Sequence, residues 1–187
     1  MDGPPIENGA VAVSGNRIIG VGKFPEISAR HSGQQLVDLG EQVMLPGLIN
    51  AHCHLDYTCL RGQIPSKKSF ADWIRAINAE KARLCEQDYL TSIAEGFAEA
   101  KRFGTTTIAN LTAFPELIAR IDPPIRTWWF AELIDVRSPE RAKELVALAV
   151  ESMKPAANSL RVAGAPAPLP MLSTTYWNKL LVWTAPA

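Results

Sequence analysis

The sequence is short of several things, and each shortage removes a class of protein. No apolar run approaches the ~20 residues that cross a bilayer, so no transmembrane helix and no membrane partner are expected. Charge of one sign does not dominate: nineteen Lys and Arg balance nineteen Asp and Glu. That balance removes the long-range field that recruits nucleic acid or an anionic surface. Cysteine is scarce; Cys53, Cys59 and Cys85 are odd in number and lack disulfide-framework spacing. Reduced thiols in a cytoplasmic protein are the expectation. No charged, then apolar, then small-residue leader opens the chain, so no signal peptide is expected. No internal repeat or low-complexity segment interrupts it. Histidine is rare too, with three in 187 residues, yet His52 and His54 stand one residue apart.

What is present is the composition of a globular domain, 47% hydrophobic and 20% charged, enough for a sizeable core. Residues 9–22, GAVAVSGNRIIGVG, alternate around Gly15-Asn16 and predict a β-hairpin. QQLVDLG (34–40) and QVMLPGLIN (42–50) read as further strands, with a boundary between layers at Pro46-Gly47. The pattern then turns helical. Residues 69–84 carry Phe70, Trp73, Ile74, Ile77 and Leu84 at helical spacing, behind a Ser69/Asp72 capping box. A helix over 88–103 is stopped by Gly104. Strands are expected at 105–111, 126–136 and 160–165, a helical turn at PELIARI, and helices from Ser138-Pro139-Glu140 to about Met153 and over 173–183. Strands alternating with helices imply parallel βαβ units.

On a strand, side chains at i and i+2 leave the same face. His52 and His54 therefore project together, placed to share one divalent metal ion, while Cys53 faces away. The plain alternative is a pair of satisfied histidines at a strand end. Asp56, two residues on, is placed to orient a ligand or touch the metal.

The string PGLINAHCHLDYTCLRG (46–62) resembles the amidohydrolase superfamily. It is most similar to the branch of cytosine and guanine deaminases, chlorohydrolases, and deaminases of methylthioadenosine, S-adenosylhomocysteine and aminofutalosine. ENGAVAVSGNRIIGVG resembles the small β-sandwich that precedes the barrel in that family, and GTTTIAN its second barrel strand; the likeness covers roughly residues 3–164. The resemblance implies an α/β fold: a β-sandwich part (1–45), then about the first four βα units of a (β/α)8 barrel (46–164), with strands near 47–52, 105–111, 127–133 and 160–165. It implies metal ligation by His52 and His54 at the end of the first barrel strand. The implied cofactor is Zn²⁺ or Fe²⁺, one per complete site, activating a water that deaminates a small purine-, pyrimidine- or nucleoside-like substrate. Among nucleoside-deaminating relatives a glutamate in the region of Glu80 holds the ribose. Arg61 of Leu-Arg-Gly is placed to position the loop over the site. For both, an exposed surface residue is the competing reading.

Other residues read more plainly. Trp73, Trp128 and Trp129 fit the core, and Cys59 and Cys85 read as buried or half-buried thiols. Asn110 and Glu132 lie near the C-terminal ends of strands, where barrel sites are built.

A full barrel takes about 250 residues, and residues 47–187 are about half of that. The family's later histidines, proton-shuttling glutamate and aspartate have no counterpart here, so no catalytic residue is assigned and whether the chain is itself an enzyme stays open. Two unpaired sheet edges invite self-association, with a homo-oligomer left open. From about 165 the sequence departs from the family pattern. Read one nucleotide earlier, Leu169-Pro170-Met171-Leu172 permits Ala-Pro-Tyr-Ala, so 165–187 are read as a frameshifted tail. Two functions follow: a truncated metal-dependent hydrolase, inactive alone, or a non-catalytic half-barrel association subunit.

Overall fold

The structure, a computed structural model, describes residues 3–133, 139–159, 171–175 and 180–182. Two compact units divide at Leu45/Pro46.

In the first unit, strands β1 (Gly9–Ser14) and β2 (Arg17–Lys23) pair antiparallel around Gly15, which turns at φ +58°. This is the hairpin the alternation predicts. Helix α1 (Phe24–Arg30) follows and buries Ile27; its Pro25 and Glu26 suit a first helical turn. Residues 35–40 form no strand, contrary to expectation. Leu36, Val37 and Leu39 are exposed there and Gly40 takes φ +64°. Apolar content without a pairing partner does not make a strand. The two-stranded sheet is the only sheet among the described residues of this unit.

The second unit is mixed α/β. Strands β3 (Leu48–Cys53), β4 (Thr105–Thr112) and β5 (Arg126–Leu133) run parallel in that order. Between β3 and β4 lie a 3₁₀ helix (Leu55–Leu60), α2 (Phe70–Lys81) and α3 (Glu86–Arg102). A second 3₁₀ turn, Pro115–Arg120, links β4 to β5, and α4 (Ala142–Ser159) follows the short turn Pro139–Arg141. Gly104 ends α3's connection at φ +79°, and its carbonyl accepts from Leu48 N–H at 2.9 Å. Gly47 has no room for a side chain, since a Cβ would collide with Thr106. That collision is why the first parallel strand opens on Pro-Gly.

The expected Ser69/Asp72 box is half formed: Ser69 Oγ accepts from Asp72 N–H at 3.1 Å, while the Ser69 hydroxyl, not its N–H, donates to the Asp72 carboxylate at 2.7 Å. The reciprocal backbone contact occurs at α3, where Cys85 N–H donates to Asp88 at 2.8 Å and holds that carboxyl below its ordinary range.

The core lies on one face of the sheet: Leu55, Ile93, Phe97, Ile108, Ile118, Trp129, Ala131, Ala149 and Met153. Phe97 meets the Trp129 ring edge-on at 6.2 Å. Two tryptophans differ from expectation. Trp128 is half-buried on the opposite face of β5 with Arg126 over its ring. Trp73 is 43% exposed beside Phe70, and Ile77 is the buried residue of α2. Period alone marks a helix face without saying how much of it a neighbour covers. Cys85 is exposed, Cys53 and Cys59 half-buried, and all three are free thiols.

The expected helix over 173–183 is replaced by strands. β6 (Met171–Thr175) adds parallel to β5, and β7 (Leu180–Val182) pairs antiparallel with β6. Thr174, Thr175 and Val182 are β-branched, and the open edge of β5 offers hydrogen bonds that an isolated amphipathic turn cannot match. The expected strand over 160–165 lies outside the described residues, as do 134–136 of the expected third strand and Ser138. Among the described residues no helix is long and apolar enough to cross a membrane.

Candidate metal centre

The C-terminal ends of β3, β4 and β5 come together, with Cys53 level with Asn110 and Asn110 level with Trp129. In parallel sheets this is the end where chemistry is sited. His52 sits on β3, its N–H donating to Asn50 Oδ1 at 3.2 Å. His54 lies one residue past the strand, at the start of the 3₁₀ helix (φ −126°, ψ 87°). The two rings still meet, centroids 5.3 Å apart and 72° between planes. The pairing expected from strand geometry is thus present, although only His52 is in the strand.

Buried polar groups hold the turn. Asn110 is fully buried, and its Oδ1 accepts from Leu55 N–H at 2.8 Å and from Cys53 Sγ at 3.6 Å. Ser92 of α3 donates to the Leu55 carbonyl (3.0 Å) and accepts from Cys59 N–H (3.0 Å). Thr58 donates to the same carbonyl at 2.8 Å. Gly96 makes this approach possible, because a Cβ there would lie 2.6 Å from Thr58 Oγ1 and 2.8 Å from Leu55 Cδ2.

His54 is bracketed. Tyr57 stacks on it with centroids 5.2 Å apart and planes 2° from parallel. Lys81, at the end of α2, donates to the Tyr57 hydroxyl at 2.6 Å, and its own carbonyl accepts from Tyr89 at 3.1 Å. On the other side Glu132 Oε2 lies 3.9 Å from His54 Nδ1. Burial, foremost, holds His54 below the ordinary imidazole value; Glu132 opposes this, and His52 and Lys81 add to it. A neutral imidazole is the form that ligates a metal. Burial pushes the Tyr57 hydroxyl upward and the Cys53 thiol to about 11, so Cys53 is protonated and inert.

Asp56 is wholly buried, and neither carboxylate oxygen meets a hydrogen-bond partner. Burial, foremost, pushes it up to about 6, against the opposing pull of the Lys81 charge.

Arg61 and Glu80, the expected substrate contacts, each have a local partner. Arg61 forms a two-pronged pair with Glu99 of α3, and Glu80 pairs with Arg83 at 2.8 Å. Sequence reasoning missed Tyr57 and Lys81. Tyr57 follows His54 by three residues, the spacing that places side chains together on a turn. Lys81 is 24 residues further along, and no local pattern announces it.

The donor set suits a divalent cation in part: two imidazoles stand side by side, and burial favours the neutral form of the His54 ring. Among the described residues no group of three or more His, Cys, Asp or Glu side chains is placed to hold a metal ion. Two imidazoles side by side are one fewer than the three protein ligands a catalytic zinc usually has.

The second unit is thus a mixed α/β unit with two histidine rings meeting at one end of its parallel strands. The sequence pattern of the Amidohydrolase family matches residues 35–128, half the chain, and the chain belongs to that family. Its curated relatives include 5-methylthioadenosine/S-adenosylhomocysteine deaminase 1 of Syntrophus aciditrophicus, 36% identical over 118 residues, which is 62% of this chain and 26% of the relative. The 5-methylthioadenosine/S-adenosylhomocysteine deaminase of Nitratidesulfovibrio vulgaris strain Hildenborough is 35% identical over 108 residues (57% and 24%). That of Symbiobacterium thermophilum is 31% identical over 140 residues (73% and 31%). The chain thus spans about a quarter to a third of the length of these relatives.

Proposed function

We propose that this chain carries the first two metal ligands, His52 and His54, of a hydrolase that deaminates a nucleoside-like substrate. Its α/β unit is the first part of a (β/α)8 barrel, and its hairpin unit part of a small β-sandwich. The observation that carries this reading is the pair of rings at 5.3 Å, at the C-terminal end of a parallel sheet. Bound there, zinc or iron would supply a water made acidic enough to act as hydroxide near neutral pH. The chain's own residues supply the frame. Tyr57 and Lys81 fix the plane of the His54 ring, Asn110 fixes the turn that carries it, and burial keeps that imidazole neutral. Glu80 and Arg61 are proposed to contact substrate. Lys81 ties the end of α2, with Glu80 beside it, to the His54–Tyr57 stack, and either contact requires its present ion pair to be shared or released.

The test is metal titration of the purified chain with Zn²⁺ and Fe²⁺, followed by elemental analysis. One ion per chain is expected in wild type, and none in the H52A/H54A double variant. Equal metal content in the two would sink the assignment. The 187-residue chain, holding two ligands, is expected to release ammonia from adenosine-type substrates no faster than a metal-only blank. A second reading, an association subunit without catalysis, is favoured by the open side of β3, where Leu48 and Ile49 are 59% and 71% exposed. It predicts no retained metal.

A further inference from the structure

Glu132 has no evident structural employment. It ends β5, opposite Ser173 of β6, on the face away from the buried Trp129 and Ala131. Its side chain is 14% exposed, yet it makes no hydrogen bond among the described residues. Its carboxylate faces Nδ1 of His54, the buried nitrogen that likewise lacks a partner. At 3.9 Å the two are about 1 Å beyond a usual hydrogen bond. An ionised carboxylate only accepts, and a neutral imidazole carries one N–H on one of two nitrogens. If the proton sat on Nε2, a lone pair on Nδ1 would face a negative oxygen in a half-buried site, and both would stay unsatisfied. With the proton on Nδ1, both are satisfied and Nε2 keeps its lone pair.

We propose that Glu132 is a positioning residue for His54: its carboxylate accepts Nδ1–H, fixes the tautomer and ring angle, and leaves Nε2 as the nitrogen offered to a cation. The cation part rests on the metal centre proposed above; the tautomer part stands without it. Tyr57 fixes the plane of the ring and Glu132 fixes its rotation within that plane, so the two contacts are complementary. Carboxylate partners of ligating histidines act in this way generally.

Two measurements on the whole chain test it. Long-range ¹H–¹⁵N correlation at alkaline pH reads the His54 tautomer in metal-free protein. The Nδ1–H form is expected in wild type and in Glu132→Gln, whose amide oxygen still accepts, and the Nε2–H form in Glu132→Ala. An Nε2–H form in wild type overturns the proposal whether or not metal binds. Competition with a chelator reads zinc affinity, expected to fall about 10–100-fold in Glu132→Ala and to stay close to wild type in Glu132→Gln. Equal losses in the two variants would make Glu132 a ligand instead, and no loss in either would remove it from the site. Absence of zinc binding in wild type, with the Nδ1–H form present, would sink the metal centre and leave the orientation of His54 standing.

Discussion

β3 and β4 run side by side with the same polarity, and their burial is opposite. Ile108, Asn110 and Thr112 of β4 are sealed, while Leu48 and Ile49 of β3 face solvent and Cys53 alone is half-buried. β4 is bonded on both sides; β3 is bonded to β4 alone among the described residues. The histidine pair thus stands at the end of the less supported strand, and the turn that carries His54 is held from its neighbours. Asn110 reaches across from β4 to hold the turn after β3, and Ser92 reaches in from α3. In this protein the strand sealed in the core and the strand at whose end the two imidazoles meet are different strands.

Four variants put that contrast to the test. The largest effect is expected on the β4 side. Phe97→Ala, which empties the space beneath Trp129, should lower unfolding free energy by about 3–5 kcal/mol. Ile49→Ala on β3 should change it by no more than about 0.5 kcal/mol. Denaturant titration of the two compares them directly, and similar costs would show that β3 is covered in solution.

Next is Asp56, whose carboxyl is raised from 3.8 to about 6 in the fold. The native state binds more protons than the unfolded chain between these values, so Asp56's contribution is fully present below about pH 4 and is lost as pH rises through 6. The whole swing is about 2–3 kcal/mol. His54, held low by burial, slopes the other way. The difference between wild type and Asp56→Asn in chelator-treated protein isolates the carboxyl, and a flat difference from pH 4 to 7 would refute its burial.

The smallest effect is at the bridge between the strands. Asn110→Leu leaves Leu55 N–H without its acceptor but also removes a buried amide nitrogen that has no partner. The net cost is about 1–2 kcal/mol. Its larger mark should be on zinc affinity, because the turn carrying His54 is loosened. An unchanged affinity would mean that the turn holds itself.

Much of this was legible in the sequence, and the rest fails for identifiable reasons. The hairpin at Gly15, the capped helix after Ser69, the stop at Gly104 and the meeting of His52 with His54 are local, since each depends on a few adjacent residues. The apolar stretch at 35–40 and the segment at 173–182 were misread because their state depends on which strand lies alongside, not on their own period. Trp73 and Trp128 were misplaced because coverage of a face is a property of the neighbour. Asn110 and Glu132 were singled out as strand-end residues, but their roles, tying a turn and facing an imidazole, come from contacts more than fifty residues apart. Lys81 depends on a contact 24 residues away, again beyond any local pattern.

Gly96 carries the last lesson. It is a hydrogen atom in the middle of α3, far along the chain from either imidazole, and the hollow it leaves admits Thr58 and Leu55. A methyl group there would meet Thr58 Oγ1 and Leu55 Cδ2, so those side chains or the helix must shift, at the turn that Ser92 anchors. A survey of damage that scored only residues beside the two imidazoles would pass over this position, although a void of one carbon's size sets how closely α3 and the turn after β3 approach.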